Sequence, residues 1–166
     1  MTLLFSEALV SGAIALVFGA TLLAVAYGDA RELRIPNAAV VFVALLYFPA
    51  FLLGVSGTSG WLSHLGAGLF MFAVGYALFA LRVFGGGDAK LMAALALWTG
   101  FTDLSRFLLL TAIFGGVLAV ALLLMRRMDW RGNGRFAHLL AKDASIPYGI
   151  AIVAAAFDWI FRHMVI

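Results

Sequence analysis

The sequence contains no cysteine, and only 11% of its 166 residues are Asp, Glu, Lys or Arg. Without cysteine there is no disulfide framework, no thiol nucleophile and no thiolate zinc site. The three histidines, His64, His138 and His163, show no metal-ligand spacing. Soluble domains carry about a quarter of their residues as charges. This chain is instead 65% hydrophobic, with a mean hydropathy of +1.10. No water-soluble fold of this length has an interior large enough for so much apolar surface, so the solvent must be lipid. A continuous basic face is also missing. The net charge is +3 and the pI about 9.7, but Lys and Arg sit in short segments between apolar runs, which argues against nucleic acid as a partner.

What the chain does have is six apolar runs, at 8–27, 38–53, 61–81, 86–101, 107–125 and 146–161. A transmembrane helix needs roughly 20 apolar residues. The fourth run is the weakest and reaches a spanning length only by taking in residues of Gly85–Asp88. The first is expected to be a span rather than a cleaved signal, because no positive residue precedes it and it is too long for a signal's apolar region. There is no internal repeat, and residues 1–166 read as one membrane-embedded domain.

The charges between the runs give an orientation. With the N-terminus outside, nine of the eleven Lys and Arg fall in segments 28–37, 82–90 and 126–145, leaving Arg106 and Arg162 opposite. The positive-inside rule then predicts an all-α integral membrane protein. It would be a six-transmembrane-helix bundle with both termini on the exterior side, multi-pass in the cell's inner (plasma) membrane. Segment 126–145 is expected to be an amphipathic cytoplasmic loop on the lipid headgroups, with Trp130 and Phe136 interleaved among Arg131, Arg135 and Lys142.

Two carboxylates stand out at the cytoplasmic ends of apolar runs. Asp29 follows Tyr27-Gly28, and Asp88 follows Gly85-Gly86-Gly87. An ionisable group near membrane depth is costly and points to function. Two carboxylates sharing a site hold one proton between them. The ionised one can take a proton from water while the protonated one donates to a carbonyl oxygen. That is aspartyl-protease chemistry, and it needs no metal, thiol or cofactor. Three successive glycines would allow positive φ and let a peptide backbone approach closely. Taken singly, each aspartate has a plainer explanation: Asp29 as a helix-end carboxylate paired with Arg31 or Arg34, and Asp88 as a helix N-cap near Lys90. Gly85–Lys90 lacks the spacing of a phosphate loop.

Taken together, these residues resemble the type IV prepilin peptidase family. One element reads Asp29-Ala-Arg-Glu-Leu-Arg-Ile-Pro36-Asn37, and the other Gly85-Gly86-Gly87-Asp88-Ala-Lys90-Leu. Pro147-Tyr148-Gly149, opening the last run, fits the same likeness. The resemblance implies an intramembrane aspartyl endopeptidase with Asp29 and Asp88 catalytic. Gly85, Gly86, Gly87, Lys90, Asn37 and Pro36 would bind substrate or support the pair. The implied substrate is a prepilin with a short basic leader, a glycine before the cut and a hydrophobic helix after it. Membrane lipid and pilus or secretion assembly proteins are further expected partners, and no cofactor is implied.

The chain is similar to the short form that accompanies tight-adherence (Flp) pili. It lacks the paired-cysteine portion linked to methyltransferase activity in longer members, so none is expected. Archaeal preflagellin peptidases share the two-aspartate core. Presenilin-type proteases place the first aspartate directly after a tyrosine, whereas here Gly28 intervenes.

Two rival classes fit the residues less well. A proton-coupled transporter would place ionisable groups near the bilayer midplane, often within inverted repeats. A non-catalytic assembly subunit would leave the aspartates unexplained. Elsewhere, His64 and the four tryptophans are expected at membrane interfaces, and Asp158 and Arg162 as an exposed i,i+4 pair. Asp129 and Asp143 are expected to be solvated. Gly66, Gly68, Gly75, Gly115 and Gly116 would permit close helix contacts.

Overall fold

A computed structural model describes residues 2–55, 60–128, 137–141 and 144–165, with side chains given from residue 9 to residue 164 within those ranges. The described residues form helices and connecting turns, with no strand. The α-helices are α1 (Thr2–Glu32), α2 (Asn37–Leu52), α3 (Trp61–Ala80), α4 (Gly86–Arg127) and α5 (Tyr148–Ile160). A short 3₁₀ turn covers Ala137–Leu140, and α5 runs on into a π-helical turn at Phe161–Val165. Pro36 and Pro147 stand immediately before α2 and α5, where a missing N–H costs little. Half of the segment expected to be a headgroup loop, including Asp129, Trp130, Arg131, Arg135, Phe136, Lys142 and Asp143, lies outside the described residues.

Three helical stretches are long and apolar enough to cross a membrane: Leu9–Glu32, Trp61–Ala80 and Gly86–Arg127. Helix α2 is apolar but shorter. Large apolar side chains point outward along them, among them Leu16, Phe48, Leu69, Phe79 and Leu123, a surface suited to lipid. The chain is an all-α membrane protein.

The expected fourth and fifth runs fall within the single helix α4, which is broken at Gly100, where φ is +60° and ψ 179°. Only glycine adopts that conformation readily. Helix α5 serves as a ruler for what happens there. Phe84, just before α4, lies beside Tyr148 at the start of α5. Trp98 lies beside Trp159 near its end. Past the break, Arg106 pairs with Asp158, and Gly115 is again beside Tyr148. Helix α4 therefore doubles back at Gly100.

A backbone break inside a membrane protein needs substitute hydrogen-bond partners. Two neighbours on α3 supply them. The Phe101 N–H donates to Ser63 Oγ at 3.2 Å, and His64 Nδ1 lies 3.0 Å from the Leu97 carbonyl, so Nδ1 carries the proton and donates. His64 is accordingly buried at 1% exposure, stacked on Tyr47, and not interfacial as its position in the sequence suggested.

Trp98 and Trp159 also depart from the expected aromatic belt. Both are buried. Trp98 stacks on Phe18 at 4.1 Å and donates its indole N–H to the Val43 carbonyl, so one side chain joins α1, α2 and α4. Trp61 alone of the three described tryptophans is exposed.

Helices in lipid gain little from burial against one another, so close packing of small residues matters more. A Cβ on Gly75 would come within 3.1 Å of the Ala89 Cβ, and one on Gly68 within 3.4 Å of Leu97, along the antiparallel α3–α4 contact. Gly66 and Gly115 face the Phe101 and Tyr148 rings. At Gly116 a Cβ would meet nothing within 4 Å among the described residues, so no close helix contact forms there.

Candidate active site

Asp29 lies in the last turn of α1, three residues before its end, rather than just past it. Its carbonyl accepts the Leu33 N–H, and Leu33, at φ +53°, turns the chain out of the helix. That turn carries the Ile35-Pro36-Asn37 segment back across the end of the bundle. Asp88 is the third residue of α4, after Gly85 as the capping position, so it is not an N-cap. Asp88 thus stands in the first turn of α4, close behind the glycine run.

The two aspartates line one cavity of about 760 Å³. Its walls also include Glu32, Arg34, Pro36, Asn37 and the whole Gly85–Gly87 run. Asp29 is 5% exposed and Asp88 is half-buried, and Asp88 feels the charge of Asp29. Neither forms an ion pair among the described residues, so the expected alternative of Asp29 with Arg31 or Arg34 is not realised. Arg31 and Arg34 are exposed.

The glycine run works differently from its sequence-based reading. None of Gly85, Gly86 and Gly87 has positive φ, and the last two already belong to α4. Their value lies in space. A Cβ on Gly85 would stand 2.6 Å from Asp88 Oδ2, one on Gly86 3.1 Å from the Phe79 ring, and one on Gly87 3.1 Å from the Ile35 Cβ. A side chain there would displace Asp88 from position 85, press on Phe79 of α3 from 86, or push on the Ile35 segment from 87.

Lys90 and Asn37 meet, with Lys90 Nζ donating to Asn37 Oδ1 at 3.1 Å. This bond ties the first turn of α4 to the start of α2. Asn37 lines the aspartate cavity, whereas Lys90 lines the neighbouring apolar groove.

One residue of the site, Gly149 of the Pro147-Tyr148-Gly149 string, had no role assigned to it from the sequence. The Gly149 N–H, in the first turn of α5, donates to Asp29 Oδ2 at 2.7 Å. A Cβ at position 149 would lie 2.7 Å from that same oxygen. Gly149 therefore supplies a buried hydrogen bond to Asp29 and the room for it. Its signal in the sequence was a glycine two residues after a helix-opening proline.

The opposite end of the molecule handles carboxylates in another way. Arg106 donates two hydrogen bonds to Asp158, both at 2.9 Å, and Arg162 reaches Asp158 and Asp103 at 3.0 Å each. His163 stands 3.2 Å from Asp103. The Asp158–Arg162 pair, expected to be exposed, is thus part of a network that joins the returning half of α4 to α5, and Asp158 is half-buried.

Among known proteins, the model of the type IV leader peptidase family matches residues 16–120, a stretch that holds both aspartates and the glycine run. No curated protein and no solved structure matches the chain.

Proposed function

We propose, from the premise that the chain belongs to the type IV leader peptidase family, that Asp29 and Asp88 are the two catalytic acids with which it cuts prepilins. The observation that carries this reading is the shared cavity, in which two carboxylates with no ion pair among the described residues face the same space beside a side-chain-free glycine run.

In the reaction, the aspartates hold one proton between them and a water molecule sits between their oxygens. The ionised carboxylate accepts a proton from the water as its oxygen attacks the scissile carbonyl, and the protonated one donates to the carbonyl oxygen. Collapse of the resulting diol, with proton transfer to the leaving nitrogen, breaks the C–N bond. Gly149 holds Asp29 in place, and Gly85 leaves room for Asp88. Gly86, Gly87, Pro36 and Asn37 form the wall along which the peptide lies, and Lys90 fixes Asn37.

The substrate class follows from the family and fits the cavity's charge. Asp29, Glu32 and Asp88 outnumber Arg34 among its walls, an arrangement complementary to a basic leader. Six crossings, with α4 passing twice through its return at Gly100, put both termini on the exterior and the aspartate end on the cytoplasmic side of the inner membrane. Nine of the eleven Lys and Arg are then cytoplasmic. The chain acts as a single domain on Flp-type prepilins, without methyltransferase activity.

The test is cleavage in detergent of a prepilin-type peptide with a basic leader, a glycine and an apolar helix, read by intact mass. One cut, directly after the glycine, is the expected result. Cleavage at the same rate by Asp88→Asn would refute the mechanism.

A further inference from the structure

A second concavity of about 440 Å³ lies between α2, α3 and the first half of α4. Its lining has a regular pattern. On α2, Asn37 is followed at i+3, i+4 and i+7 by Val40, Val41 and Ala44. The same spacing recurs on α3 from Leu65 and on α4 from Lys90. Each helix thus presents one face over two turns, about 10 Å of length at 1.5 Å per residue. Helices α2 and α3 both pack on α4 and make little contact with each other, which leaves the position of a fourth helix open. The floor is made of small residues, Gly68, Ala93 and Ala94, and the rims of larger ones such as Val41, Leu69 and Phe72. This is the surface against which an apolar helix packs closely.

The trough is continuous with the candidate active site. Asn37 lines both, and the Lys90–Asn37 hydrogen bond stands at their junction. A smaller cavity of about 320 Å³ shares Phe72 and Lys90 with the trough and Gly86 with the aspartate cavity. A chain held at Asp29 and Asp88 can therefore pass directly into the trough. Acidic cavity and apolar trough, side by side, complement a substrate that is basic before the scissile bond and an apolar helix after it.

We infer that this trough is the seat of the substrate's apolar helix during cleavage, an assignment that rests on the leader-peptidase reading above. It gives the enzyme two recognition elements, with chemistry confined to the polar one.

Because the chain has no cysteine, single-cysteine variants report without background. Val41 and Leu69 are 54% and 61% exposed on the rims, so Val41→Cys and Leu69→Cys leave the packing intact, and Leu123→Cys on the returning half of α4, 55% exposed, is the control. Each would be made in an Asp88→Asn background and mixed, under mild oxidation, with a prepilin-type peptide carrying one cysteine in its apolar helix. The expected result is disulfide formation at positions 41 and 69 at least about tenfold faster than at 123, equivalent to about 1.4 kcal/mol of preference.

Kinetics supply the second arm. Leu69→Trp should raise KM for the full substrate about tenfold with kcat unchanged, and leave cleavage of a short peptide lacking the apolar helix as it was. Equal cross-linking at all three positions, or a Leu69→Trp enzyme with wild-type KM, would overturn the trough while cleavage by the wild type keeps the peptidase reading intact. If the wild type cleaves neither peptide, the peptidase reading falls and the trough assignment with it.

Discussion

The two ends of this helical bundle treat their carboxylates in opposite ways. At one end, Asp103 and Asp158 are held by Arg106, Arg162 and His163 in a network that fastens the returning half of α4 to α5. At the other, Asp29 and Asp88 face one cavity with no ion pair among the described residues, and Asp29 accepts its hydrogen bond from a backbone amide. A carboxylate held by two guanidinium groups keeps its charge and serves as a fastener. A pair held in no ion pair can share and pass a proton. Residue type alone does not separate the two uses; their neighbours do.

The largest expected effects fall at the aspartate end. Asp29→Asn and Asp88→Asn should each lower kcat by at least about 10³-fold, the scale of lost acid–base catalysis, while the proteins stay folded. Circular dichroism and thermal melts beside the cleavage assay check both halves. Next is Gly149→Ala. Its Cβ would lie 2.7 Å from Asp29 Oδ2, so the carboxylate must move. A misplacement of this kind costs on the order of 10²-fold in kcat. KM should change little, because the groove and the glycine run are untouched.

At the opposite end the effects should be on stability. Gly100→Ala places an alanine at φ +60° with its Cβ 3.2 Å from the His64 ring. It should cost about 1–3 kcal/mol, measured by thermal or denaturant unfolding in detergent. The folded fraction should still cleave substrate at the normal rate. The smallest effect expected is that of Asp158→Asn, which loosens the network without touching the cavity. It should lower the melting midpoint and leave kcat/KM within about twofold of wild type.

How much of this was visible in the sequence depended on the range of the interaction. Apolar run lengths located the helices well, because each run forms its helix from local contacts. The expected break between 38–53 and 61–81, for example, lies where α2 ends and α3 begins. The doubling back of α4 was harder to see. It depends on one glycine dihedral and on Ser63 and His64, more than 30 residues away along the chain. The same distance problem hid the burial of His64, Trp98 and Trp159, which look interfacial only if each helix is considered alone.

At the candidate site, Asp29, Asp88 and the glycine run are marked in the sequence by their chemistry together with their likeness to the prepilin peptidase motifs. The role of the glycines is less legible there, since a run of three suggests turning freedom, and it is the nearness of Phe79, Ile35 and Asp88 that requires them. The role of Gly149, named only as part of Pro147-Tyr148-Gly149, was out of reach for a similar reason. Its bond to Asp29 joins residues 120 positions apart, and nothing local to a Pro-Tyr-Gly string says which side chain its amide meets.

The most direct test sets one aspartate from each end against the other in a single assay. Asp88→Asn and Asp158→Asn are compared with wild type for prepilin cleavage by intact mass and for melting midpoint in the same detergent. Asp88→Asn is expected to melt as wild type and not cleave, and Asp158→Asn to cleave as wild type and melt earlier. Normal cleavage by Asp88→Asn, or loss of cleavage in a fully folded Asp158→Asn, would contradict the division of labour between the two ends.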